Sequence, residues 1–79
     1  MTPGSKWKHY KGGIYKLLGC CRLEATKEPH VVYKEWGDGT DIGQWWARPL
    51  TEWNELINVG TAANEPKMIR RFTLVEEKP

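Results

Sequence analysis

At 79 residues the chain has room for one small domain, which buries only about 60% of its unfolded surface and depends on an efficient core. A formal net charge of +2 is too small to make it a polyanion binder on charge alone, and no apolar run approaches the roughly 20 residues of a membrane span. Met1-Thr2-Pro3-Gly4-Ser5-Lys6 lacks the apolar segment of a secretory signal, so a cytoplasmic protein with no membrane association is expected.

Residues 1–8 read as a flexible N-terminal arm. It opens a basic stretch, Lys6, Lys8, Lys11, Lys16 and Arg22, with no acid before Glu24. Such an end attracts phosphates, although ordinary solubilising lysines give the same composition. From Glu24 to Glu55 seven acids face Lys27, Lys34 and Arg48, which argues against nucleic acid as the first choice of partner.

Gly12-Gly13 is a turn or bulge signal. After it, Tyr15, Leu17, Gly19, Cys21, Leu23 and Ala25 alternate with more polar residues, a period-two strand with the odd face inward. Cys21 is then expected to be buried and Cys20 exposed, unless a bulge at Gly19 exchanges their faces. Adjacent cysteines cannot staple distant strands, and a vicinal disulfide is strained, so both are read as reduced thiols. Two cysteines and two histidines without ligand spacing imply no metal and no cofactor.

Thr26-Lys27-Glu28-Pro29 is a connection, and His30 to Trp36 a second strand rich in β-branched and aromatic residues. Residues 37–43, with three glycines and two aspartates, read as a flexible loop. Gln44 to Arg48 is the next strand, ended by Pro49. Thr51 is placed to cap a short helix, with Glu52 in its first turn and Trp53, Leu56 and Ile57 forming an apolar stripe. Gly60 is a plausible stop, residues 61–67 a loop, and Ile69 to Glu76 a last strand with Phe72 and Leu74 on one face.

These elements predict a mostly β fold: a small SH3-like barrel of four to five strands with one short helix, closed or nearly closed so that no edge is left bare. Its single domain spans 9–76, and 77–79 are tail. An OB-type barrel fits less well.

The ordered pieces His9-Tyr10-Lys11-Gly12-Gly13-Ile14-Tyr15, Leu18-Gly19, Arg22, Glu28, Val31-Val32-Tyr33, Gly37-Asp38, Trp46-Ala47-Arg48-Pro49-Leu50, Trp53 and Arg71-Phe72 resemble a domain-of-unknown-function family of short bacterial and phage proteins. Its pattern reads H-[YF]-K-G-x-x-Y, V-V-Y, G-D, W-x-R-P-L-x-x-F and R-F. The resemblance covers nearly all of 9–74 and implies an SH3-like barrel, with no reaction to transfer. The chain departs from the pattern at Leu23 and Ala25, where the family commonly has His and Glu, at an apparent insertion over 39–42, and at Trp53, which replaces a phenylalanine.

Five tryptophans supply bulk for a small core, but Trp45 and Trp46 are adjacent and on a strand point to opposite faces. One ring, Trp45, is therefore assigned to the core, and Trp46 to the surface beside Arg48, where an indole and a planar guanidinium suit a carboxylate, a phosphate or a π-system. Tyr33 is expected at the same surface cleft, with His9 and Lys11 on its rim, while Tyr15 and Trp53 are read as core. An ion pair from Arg48 to Glu28 or Asp38 is the competing, purely structural reading. No spacing asks for a Cys20–His30 nucleophile, and the aspartates of 37–43 are poorly placed for preorganised catalysis, so a non-enzymatic module is expected. Its first reading is recognition of a small anionic or aromatic molecule or a peptide through Trp46, Arg48, Tyr33, His9 and Lys11. Single-stranded nucleic acid is the second, and a phage-type role, sequestering a signalling nucleotide or blocking a host protein as an oligomer, is the third.

Overall fold

The computed structural model describes residues 1–37, 40–60 and 65–77. In chain order the elements are β1 (Lys6–His9), β2 (Ile14–Arg22), β3 (Pro29–Gly37), β4 (Thr40–Pro49), α1 (Leu50–Trp53), β5 (Leu56–Asn58), β6 (Met68–Arg70) and β7 (Phe72–Glu76). Five strands form one antiparallel sheet in the order β4-β3-β2-β1-β7, and β5 pairs with β6 as a separate two-stranded ribbon. The fold is mostly β with one short helix. It is not a closed barrel, because β4 and β7 are the two edges of the sheet.

The sheet nevertheless bends tightly. Tyr33 on β3 and Phe72 on β7 are three strand positions apart, about 14 Å in a flat sheet, yet their ring centroids are 5.5 Å apart. Trp53, delivered by α1 and fully buried, fills the concave side. It stacks on Phe72 at 3.8 Å and meets Tyr33 and Trp7 edge-on at 5.1 and 5.5 Å. Trp7, Leu17, Val31, Tyr33, Trp53 and Phe72 make the core. Four of the six are aromatic, which is how a short chain assembles enough buried area.

Several expectations from the sequence change here. Residues 1–8 are not a loose arm from Gly4 onward: β1 lies inside the sheet, the Gly4 N–H donates to the Leu17 carbonyl and the Leu17 N–H to that of Ser5, and Trp7 is buried. Its Nε1 donates at 2.9 Å to the buried Ser5 hydroxyl, which in turn donates to the Thr2 carbonyl. The alternation Ser5, Trp7, His9 against Lys6, Lys8 is a strand pattern too short to stand out among lysines.

Gly12 and Gly13 both take positive φ in the β1–β2 turn, as their composition predicts. A register shift between Leu17 and Gly19 pairs Cys20 with Val31 and Cys21 with His30. The bulge therefore exchanges the two cysteine faces. Neither is buried, although their partners Val31 and His30 are.

Most of the expected loop over 37–43 is strand, since β3 runs to Gly37 and β4 begins at Thr40; residues 38–39 lie outside the described residues. Between the pairs Lys34↔Trp45 and Trp36↔Asp41, β4 carries two more residues than β3. Gly43 absorbs them with a φ of 77°, at a point where a Cβ would press on the Glu35 side chain.

Trp45 is not core. It is 63% exposed and Trp46 49%, because Trp53 already occupies the concave side and the other side is open. Thr51 is not the helix cap: Pro49 holds that position without a side-chain hydrogen bond. Leu56 and Ile57 belong to β5 rather than to a helical stripe, and the last strand is broken at Arg71 into β6 and β7. Leu74 is exposed where Phe72 is buried.

Candidate functional site

Residues directly opposite in an antiparallel ladder share a face. The register pairs Val31 with Arg48, Tyr33 with Trp46, Tyr33 with Leu17, Tyr15 with Glu35, Trp7 with Tyr15 and His9 with Phe72. All of these stand on the concave side, so the bend gathers Tyr33, Trp46, Arg48 and His9 onto one face although they come from three strands. The face is open; no enclosed cavity lies in it among the described residues.

Arg48 is the hub. Its Nε donates to the Tyr33 hydroxyl at 3.3 Å, its Nη1 to Glu52 Oε1 at 3.2 Å, and its guanidinium carbon lies 5.9 Å from the Phe72 ring centroid. The pairing is with Glu52, four residues on in α1, rather than with Glu28, whose carboxylate lies beside His30; Asp38 lies outside the described residues. Burial opposes the charge on Arg48. The Tyr33 hydroxyl and the Glu52 and Glu55 carboxylates outweigh it, and the group is held above its ordinary range. A guanidinium has five N–H donors, and the bonds to Tyr33 and Glu52 engage two of them.

Arg71, at the break before β7, is fastened to the Glu52 carbonyl of α1 at 3.1 Å and to Glu55 Oε1, just past the helix, at 2.7 Å. Arg48–Glu52 and Arg71–Glu55 thus hold the short helix, and with it Trp53, against the sheet from both sides.

His9 ends β1. Its Nδ1 accepts the Lys11 N–H at 3.1 Å, which puts the proton of the neutral ring on Nε2. The ring packs on Tyr10 at 4.7 Å and edge-on against Phe72 at 5.0 Å. Burial, then the charges of Arg48, Arg71 and Lys11, push its pKa below the ordinary histidine value. Tyr15, with its ring 5.4 Å from that of Tyr33, is pushed up by burial and by Glu35, against the pull of Arg48, and keeps its phenolic proton.

The structure therefore brings together His9, Arg48 and Trp46 on one face. It corrects Tyr33, which is only 6% exposed and contributes a buried hydroxyl rather than a surface ring. Lys11 stands at the rim with its ammonium 5.7 Å from the Tyr10 ring. Tyr15, read from the sequence as core, lies on the same face, as do Phe72 and Arg71, which were not among the expected site residues; the Arg71-Phe72 pair in the family-like pattern was the available signal. Among the described residues no cluster of His, Cys, Asp or Glu could hold a metal ion, and no helix is long and apolar enough to cross a membrane.

A bent five-stranded antiparallel sheet with a buried tryptophan on its concave side defines a small, mostly β protein. The family model for proteins of unknown function DUF1653 matches residues 5–74, and the chain belongs to this family. A crystal structure of a DUF1653 protein from Bordetella bronchiseptica is similar over 100% of this chain and 92% of that one, with a TM-score of 0.71 and 32% sequence identity. The comparison with curated proteins finds no match.

Proposed function

We propose that the chain is a non-enzymatic recognition module whose concave face takes a small anionic ligand with a planar or aromatic part. The observation that carries this reading is the position of Arg48. Its guanidinium lies over Phe72 with two donors engaged, and after burial, the largest cause, its charge with those of Arg71 and Lys11 lowers the pKa of His9. A carboxylate or phosphate placed there gains charge-assisted bonds from the guanidinium fork, and a ring attached to it finds Trp46, two positions from Arg48 on the same face, as a stacking partner. The two acids beside Arg48, Glu52 and Glu55, are engaged by Arg48 and Arg71.

A thermal-shift screen with nucleoside monophosphates, cyclic nucleotides, ADP-ribose and aromatic carboxylates tests the reading. A hit is expected to raise the melting temperature of the wild type and to be lost in Trp46→Ala, whose ring is exposed and whose removal leaves the core untouched. A flat response across all of these anions, or a hit that persists in both Trp46→Ala and Arg48→Lys, would refute it.

A further inference from the structure

β4 pairs with β3 and with no other strand among the described residues, and its outer side lacks the usual protection of an edge. Natural edge strands are kept short or carry charges, most often lysine. β4 is ten residues long, and from Ile42 to Ala47 its sequence holds no charge, with Asp41 and Arg48 flanking the run. Gly43 through Ala47 are all exposed. Trp45 and Trp46 stand among them on opposite faces of the sheet, opposite Lys34 and Tyr33 of β3. An added strand would cover a bare ladder and an open indole on each of its own two faces.

We propose that β4 pairs antiparallel with β4 of a second copy, joining the two five-stranded sheets edge to edge about a two-fold axis. The backbone selects the register. Proline in an edge strand places its nitrogen toward solvent, so Pro49, opposite His30, marks the outward-turned positions. Residues alternate in the neighbour they hydrogen-bond, so Ala47 and Trp45 also turn N–H and C=O outward. Opposing Trp45 to the partner's Ala47 lets these residues exchange both main-chain bonds, twice by symmetry. Opposing the two Ala47 residues would set Trp45 against Pro49, which has no N–H to return. Opposing the two Trp45 residues would set Ala47 against Gly43, where positive φ distorts the strand.

Side chains fit the same register. Opposed residues share a face, so on the convex side each Trp45 indole lies over the methyl of the partner's Ala47, large against small. On the concave side the two Trp46 rings meet across the axis in a non-hydrogen-bonded pair, where side chains approach closest. Gln44 stands opposite the partner's Arg48, an amide oxygen facing a guanidinium. The segment is thus complementary to itself, a match that an unrelated extended peptide has no reason to supply. The partner's Gln44 would also adjoin the anion site at Arg48; that consequence rests on the small-ligand reading, whereas the dimer does not. Two strands and four indoles fall below about 1,200 Å², the class of weak contacts, so dissociation in the micromolar range is expected.

Sedimentation of the full chain from about 5 to about 500 μM tests the pairing. The weight-average mass is expected to rise from the 9.2 kDa of one chain toward twice that value. Trp45→Glu introduces a charge that Lys34 opposite accommodates in the monomer but that the dimer would bury. It is expected to weaken association at least about tenfold with unchanged circular dichroism. Oxidative cross-linking in a Cys20→Ser, Cys21→Ser background reads the register. Trp46→Cys puts its Cα about 4.5 Å from its symmetry mate, within disulfide reach, and is expected to form a covalent dimer. Gln44→Cys, about 13 Å from its mate, is expected to stay monomeric on the same gel. A monomer at about 500 μM, a Trp45→Glu dimer as tight as the wild type, or equal cross-linking of the two cysteine variants would overturn the proposal. Trp45→Glu keeps Trp46 and Arg48, so the anion screen repeated on it judges the small-ligand reading separately from the dimer.

Discussion

The Tyr33 hydroxyl, at the edge of the aromatic core, accepts a hydrogen bond from Arg48 Nε at 3.3 Å. A nearly buried phenol needs a partner for its polar tip, and here the partner is a partly exposed cation on the neighbouring strand. The bond fixes the direction of the guanidinium, turning Nη1 toward Glu52 and the face of the fork toward Phe72. Tyr33→Phe is expected to cost about 1 kcal/mol in urea unfolding, the lower range for a bond with a charged partner because Arg48 is partly solvated. It is also expected to weaken any anion bound at Arg48 by loosening the fork. A variant as stable as the wild type and equal in anion affinity would show that Arg48 is oriented by other contacts.

His9 makes stability depend on pH. Its folded-state pKa is depressed, first by burial and then by Arg48, Arg71 and Lys11, whereas in the unfolded chain it titrates near its ordinary value of about 6.5. Between those two values the unfolded state binds more protons, so stability rises with pH through this window. The contribution is complete above the unfolded pKa, is lost as pH falls below about 6.5, and levels off below the folded pKa. Urea midpoints measured from pH 8 to pH 5 are expected to show that decline in the wild type and a shallower one in His9→Asn. An anion at Arg48 offsets the positive surroundings, so a true ligand should also move the His9 ring resonances toward a higher pKa in an NMR titration.

Ser5 carries an unusual share of the N-terminal segment. Its hydroxyl is fully buried, receives the Trp7 indole N–H at 2.9 Å and donates to the Thr2 carbonyl at 2.6 Å. Ser5→Ala removes both bonds and leaves the indole donor without an acceptor, a loss of about 1–3 kcal/mol. Ser5→Thr keeps the hydroxyl and is expected to retain more of the stability, provided the extra methyl is accommodated. Equilibrium unfolding of the two variants, followed by tryptophan fluorescence, separates lost hydrogen bonds from lost packing.

Much of the β architecture is legible because it rests on local signals. Val31-Val32-Tyr33 alternates on a β-branched and aromatic strand, Gly12-Gly13 supplies the positive φ of a turn, and Pro49 closes the ladder of β4. Trp53 is readable as core from its place after Pro49, though its partner residues Leu56 and Ile57 leave the helix for β5. What escapes is set by long-range pairing. Trp45 and Trp46 are correctly placed on opposite faces, but which face is filled depends on Trp53 arriving from another element. The placement of Lys6 opposite Lys16 depends on register, and no spacing along the chain reveals that. Arg48 was identifiable by its chemistry and Glu52 was expected in the first turn of a short helix, but their pairing was missed because that helix begins at Leu50, directly after Pro49, rather than after a cap at Thr51.

Trp53 separates volume from polarity in the core. It is fully buried and stacked 3.8 Å from Phe72 with the rings 9° from parallel, while its Nε1 has no hydrogen-bond partner among the described residues. The ring contributes large apolar area, and the N–H costs part of it, since a buried donor without an acceptor is unfavourable by about 1–3 kcal/mol. Trp53→Phe removes the orphan donor and keeps an aromatic face for Phe72, at the expense of a void where the second ring stood. The two effects oppose each other, and a net change within about 1.5 kcal/mol is expected. Trp53→Ala keeps neither benefit: it opens a cavity bounded by Trp7, Tyr33 and Phe72, costs about 3–5 kcal/mol, and is expected to unfold so small a domain near room temperature or leave it marginal. Thermal unfolding of the pair decides the matter. If Trp53→Phe loses as much as Trp53→Ala, the indole is held by an interaction that stacking and volume do not describe.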